Sequence, residues 1–128
     1  MAEMSNYLEN ALVNATIRAT TFTSPSVVYV GLYTSDPTDA NTGTEVSGGS
    51  YARQSATFGA PSNGVSTTTA DITFPQCTST WGTVSHIGIL DASTSGNLLY
   101  HTALDASKTI ETGDLFKIAS ASLTVTLA

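Results

Sequence analysis

The sequence predicts an all-β fold: an antiparallel β-sandwich or jelly roll of about seven or eight short strands with one N-terminal helix. Three observations predict it. After Pro25 the apolar residues follow a period of two, the repeat of a strand with one buried face. Turn-forming pairs such as Asp36-Pro37, Gly48-Gly49, Asn63-Gly64, Ser95-Gly96 and Thr112-Gly113 punctuate the chain at short intervals. The polarity is carried by hydroxyls more than by charges, which make up only 11% of the residues. Thr is β-branched and suits a pleated surface better than a helix.

The first segment is the one helical pattern. Met4, Leu8, Ala11, Leu12 and Ala15 recur at helical spacing, and Asn6 with Glu9 has the form of a capping pair. The run Thr20-Thr21-Phe22-Thr23 and then Pro25 ends it. Residues 1–24 thus read as a helical arm and 25–128 as the sandwich, the 128 residues forming a single domain.

Val27 to Thr34 is apolar on both faces and reads as a central strand. Ala52 to Phe58 alternates weakly; Ala70, Ile72 and Phe74 alternate with Asp71 and Thr73 until Pro75. Val84 to Leu90 is mostly apolar with Gly88 at its middle, which marks a bulge or a close approach by a neighbour. Asn97 to Ala103, Lys108 to Ile110 and Leu115 to Ile118 read as three shorter strands, and Leu123, Val125 and Leu127 close the chain in clean alternation. Between the first two strands the connection from Ser35 to Ser50 is long for a small domain, so it is expected to be a contact arm.

Composition excludes several function classes. Ten carboxylates oppose Arg18, Arg53, Lys108 and Lys117, for a net charge of −6. Four scattered cations make no patch that would neutralise phosphates, so nucleic acid is not an expected partner. No apolar run approaches membrane-spanning length, and the acidic start Met1-Ala2-Glu3-Met4 is unlike a secretory leader. Membrane association is therefore not expected either. Cys77 is the single cysteine, so an internal disulfide is impossible and the chain is compatible with a reducing cytosol.

The chemistry of catalysis is also missing. Nucleophilic catalysis needs a base beside a Ser or Cys, and no G-x-S-x-G turn occurs. His86 and His101 are the candidate bases, with Asp91 and Asp105 as orienting acids, but nothing in their spacing joins them. We therefore expect no catalytic residue, no cofactor and no metal site. Two distant histidines and one cysteine do not make a zinc site. Asp36, Asp39, Asn41 and Glu45 offer oxygen donors on one loop, yet not at calcium-loop spacing. Trp81 and Tyr51 are the candidates for stacking on a sugar, against the alternative that Trp81 plugs the end of the core.

Three stretches together resemble a known group. They are Glu9-Asn10-Ala11-Leu12-Val13-Asn14, then Glu45-Val46-Ser47-Gly48-Gly49-Ser50-Tyr51-Ala52-Arg53-Gln54, and Trp81-Gly82-Thr83-Val84-Ser85-His86-Ile87-Gly88-Ile89-Leu90-Asp91. With Gly96-Asn97-Leu98-Leu99-Tyr100 and the closing Leu-Thr-Val-Thr-Leu, the chain resembles small virion structural proteins of tailed bacteriophages, commonly labelled tail fibre proteins. The resemblance implies a virion component assembled in the host cytoplasm, whose partners are other virion proteins and further copies of itself. Because the chain has no repeat or heptad to build an elongated shaft, the first expectation is a capsid cement or decoration subunit held to the major capsid protein. The alternatives are a tail-associated subunit and a module that binds host glycans. Asp36, Asp39, Glu45, Tyr51 and Arg53 are the expected subunit contacts.

Overall fold

A computed structural model describes residues 2–127. The chain opens with a short strand β1 (Glu3–Met4) and turns at Ser5 into the helix α1 (Asn6–Ile17). Ser5 supplies the cap: its Oγ accepts the Leu8 N–H at 3.2 Å and donates to the Leu98 carbonyl, so one buried hydroxyl both starts the helix and ties it to the sheet. The cap is therefore one residue earlier than the Asn6–Glu9 spacing suggests. Glu9 still lies in the first turn, where a carboxylate favours the positive end of the helix. The helix stops before the threonine run. Ala19 adopts a positive φ of 54°, and the N–H groups of Arg18 and Thr20 both turn back to the Asn14 carbonyl.

The strands that follow are β2 (Val28–Tyr33), β3 (Gln54–Ala56), β4 (Val65–Thr67), β5 (Ile72–Thr73), β6 (Gly82–Leu90), β7 (Leu98–Ile110), β8 (Lys117–Ile118) and β9 (Thr124–Thr126). All pairings are antiparallel. A five-stranded sheet has the order β1-β7-β6-β2-β3, and two ribbons, β4-β9 and β5-β8, stand apart from it. The expected all-β class with one N-terminal helix is what forms. The second layer, however, is two short ribbons and not a continuous sheet.

Alternation explains the layering. Val28, Val30 and Leu32 share one face of β2, paired across to Ile89 and Ile87 on β6. That face joins Ile72, Phe74, Phe116, Leu123 and Val125 from the ribbons and their flanks in one buried cluster. Burying Phe74 and Phe116 stabilises the fold by roughly 1.5–3 kcal/mol each. Their rings meet edge to face with centroids 5.7 Å apart.

The pieces Asn97–Ala103 and Lys108–Ile110, read as separate strands, are one strand. The pairing of β6 with β7 jumps from His86↔Ala103 to Val84↔Lys108, so residues 104–107 stand opposite Ser85 alone. That insertion loses the apolar alternation, which is why the sequence reads as two strands with a gap.

Gly88 lies in the middle of the sheet opposite Gly31 and His101. A Cβ at position 88 would come within 2.7 Å of Leu98 Cδ1 and 2.9 Å of Tyr33 Cε1. The close approach expected from the sequence is thus made by side chains, the Tyr33 ring lying over bare backbone. Gly88→Ala is expected to lower stability by about 1–3 kcal/mol through overpacking. The shift in urea midpoint measures it, and an unchanged midpoint would refute this account of the packing.

Candidate functional site

Glu45, Tyr51 and Arg53, expected as surface contacts, form one internal cluster at the edge of the sheet. The strand β3 covers β2 only from Val28 to Val30. Beyond it, residues 44–46 take over the edge: Thr34 N–H bonds the Thr44 carbonyl and Val46 N–H bonds the Leu32 carbonyl, both at 2.9 Å. The remaining Leu32 N–H is accepted by the Tyr51 hydroxyl at 2.9 Å, a side chain doing what a strand carbonyl would do.

The Tyr51 hydroxyl in turn donates to Glu45 Oε2 at 2.6 Å. Arg53 grips the same carboxylate with two bonds, Nε to Oε2 and Nη2 to Oε1, each 2.8 Å. Its Nη1 donates to the carbonyls of Ala92 (2.9 Å) and Ser95 (2.8 Å), which pins the turn after β6. Only 10% of the Arg53 side chain is exposed, and four of its five N–H donors are engaged within the chain.

Electrostatics follow from this geometry. Burial and the hydrogen bond to Glu45 hold the Tyr51 hydroxyl neutral far above its ordinary range. Burial, with the Glu45 charge nearby, pushes Tyr33 up from 10.0 to about 12. The Glu45 carboxylate raises Arg53 further.

Trp81 and Tyr51 do not form a sugar platform. Trp81 is 5% exposed, with Nε1 donating to the Gly49 carbonyl at 2.9 Å. The Tyr51 ring meets Trp81 edge-on at 5.5 Å and stacks parallel to Phe74 at 6.2 Å. No face of the Trp81 ring is free for a ligand; it closes the end of the core. Gly49 has a positive φ of 58° and a Cβ there would lie 2.2 Å from the Ser79 carbonyl, so this contact requires glycine.

The Ser35–Ser50 connection folds on itself. Asp36 Oδ1 accepts the Thr38 N–H (2.9 Å), Pro37 is fully buried, and its carbonyl takes the N–H groups of Thr42 (2.6 Å) and Gly43 (3.3 Å). Asn41 accepts the Tyr33 hydroxyl at 3.2 Å. The oxygen donors divide: Glu45 faces Arg53 and Asn41 faces Tyr33, whereas Asp39 and Asp36 both flank His101, with Asp39 Oδ1 2.8 Å from Nε2 and Asp36 Oδ1 3.8 Å from Nδ1. The backbone carbonyl of Asp39 also accepts the Asn6 N–H at 2.9 Å, which seats the loop on the helix start.

The meeting of Asp39 with His101 was not legible from spacing, since the two are far apart in sequence. His86 has Ser85 Oγ 2.8 Å from Nδ1 and, among the described residues, no carboxylate bonded to it. Asp91 is engaged by the N–H and side-chain amide of Asn97, at 2.7 and 3.0 Å. Among the described residues, His86 is thus bonded to Ser85 and Asp91 to Asn97, and the two are not joined.

Two outcomes test the cluster. Arg53→Ala should cost about 2–3 kcal/mol, because the half-buried Glu45 loses its partner, and Arg53→Lys should recover little without the two-pronged grip. Chemical denaturation measures both. Tyr33, raised in the folded state, keeps its proton while the unfolded chain loses it above 10.0. Stability from this group is complete below pH 10.0 and is lost as pH climbs to about 12. Urea midpoints between those values should fall more gently in Tyr33→Phe than in the parent chain.

Comparison with known proteins adds the family. A search of curated proteins finds no match. The family model described as "Podophage GP4 fiber I protein gp80" matches residues 3–126, from β1 through β9. By that match over nearly the whole chain, this protein belongs to the podophage GP4 fiber I protein family, a family of phage virion and tail-fibre structural proteins.

Proposed function

We propose that this chain is a non-catalytic structural subunit of a phage tail fibre, acting by packing against other virion proteins. The observation that carries the reading is the fibre-protein family match across residues 3–126. It favours the tail-associated alternative over the capsid-cement role that the lack of repeats first suggests. The two considerations are compatible if the chain is a compact piece of the fibre, such as a joint or tip, and the shaft is built by others.

The surface supports an assembly role. Val13 and Ile17, one helical turn apart on α1, are 52% and 78% exposed, and Leu115 is 65% exposed. Exposed aliphatics of this size gain stability from a covering partner, and few lysines stand in the way. The internal use of Arg53 and Glu45 leaves contact to these apolar positions and to the outward side of the Ser35–Ser50 loop, where Asp36 and Asp39 are exposed.

Quantitative mass spectrometry of purified virions tests this. A few to a few tens of copies per particle, absent from heads separated from their tails, is the expected result. Hundreds of copies on tail-less heads would establish decoration and overturn the fibre assignment. In a second test, Val13→Asp/Ile17→Asp should leave the melting temperature within about 2 °C, because surface changes rarely exceed 0.5 kcal/mol, while reducing incorporation into particles. Undiminished incorporation would remove the helix face from the contact surface.

A further inference from the structure

A second constellation lies at the opposite edge of the sheet, where β1 pairs with β7 and Asp39 of the Ser35–Ser50 loop reaches His101. His101 is 5% exposed on β7, directly opposite Glu3 of β1 in the register. Its Nε2 lies 2.8 Å from Asp39 Oδ1 and 3.9 Å from Glu3 Oε2, and its Nδ1 lies 3.8 Å from Asp36 Oδ1. One donor atom from each of Glu3, Asp39 and His101 can be chosen so that all three lie within 4.8 Å of one another.

Three carboxylates from two separate segments therefore surround one imidazole in a chain whose net charge is −6. A divalent cation would offset two of those charges. The geometry points to a site for a divalent transition cation of the Zn²⁺ class, and we propose that Glu3, Asp39 and His101 are its ligands. Imidazole with carboxylate oxygens is a donor set suited to zinc at about 2.0–2.2 Å, with water completing a tetrahedron. Drawing the three donors onto a central ion needs small movements only: the Asp39–His101 pair must open slightly and the exposed Glu3 must close in. Asp36 Oδ1, 3.8 Å from the opposite ring nitrogen, would need to close to hydrogen-bond distance to orient a ligating histidine. Calcium is disfavoured because it requires six to eight oxygens. The bound ion would add a link between β1, the loop and β7 to the backbone pairing and the Asp39–His101 contact already there.

Isothermal titration of the full chain with ZnCl₂ and with CaCl₂, alongside melting curves, tests the site. The expected result is one Zn²⁺ per chain with a rise in melting temperature, and no saturable calcium binding. Glu3→Gln is the informative variant: 73% of that side chain is exposed, so the metal-free fold is retained. It should weaken zinc binding at least tenfold, His101→Gln should abolish it, and Asp36→Asn should weaken it by about 10–100-fold. Cys77→Ser should leave binding unchanged. The proposal is overturned by the absence of saturable zinc binding, by an affinity unaffected in Glu3→Gln, or by loss of binding in Cys77→Ser.

Discussion

The Glu45 carboxylate is the point on which the edge of this fold depends. It accepts the Tyr51 hydroxyl and two N–H groups of Arg53, and Tyr51 in turn satisfies a backbone N–H of the central strand. Each partner leads elsewhere: Tyr51 into the aromatic core through Phe74 and Trp81, Arg53 to the turn after β6. One anion therefore couples a strand edge, a loop, a turn and the core. A buried ion pair of this kind stabilises little over an apolar substitute, but leaving half of it behind is costly. Its value lies in fixing which segments meet.

The same constraint accounts for the unusual shape of the sheet. β3 is too short to pair with all of β2, and a second sheet partner is not supplied by a longer strand. The edge is completed piecemeal, by residues 44–46 and by a tyrosine hydroxyl. The two ribbons cover the core face in the same piecemeal way. Such a construction tolerates the Thr- and Ser-rich composition, because short strands joined by hydrogen-bonded turns need few long apolar runs.

What could be seen in the sequence was what depends on local periodicity. The helix over α1, the apolar face of β2, β6 near Gly88 and the closing strand all follow from side-chain alternation or helical spacing, and the turn pairs marked their limits. The helix cap lay at Ser5 because the Leu98 carbonyl, distant in sequence, selects it. The 104–107 insertion hid the continuity of β7 because bulged residues lose alternation. Of the expected contact residues Asp36, Asp39, Glu45, Tyr51 and Arg53, the last three bond to one another within the chain. Their partners could not be inferred, since a surface charge and an edge-buried charge look alike in sequence. Trp81 is ambiguous for the same reason, and the gathering of His101 with Asp39 is created by topology alone.

The irregular stretch of β7 has a consequence for polymerisation. β1 pairs with this long strand at Tyr100 and His101, near its start. Residues 104–107, opposite Ser85 alone, break the regular pairing and carry the exposed Asp105 and Ser107, an arrangement that disfavours the addition of a further strand. An edge of this kind leaves contact with neighbouring chains to side-chain surfaces rather than to strand pairing.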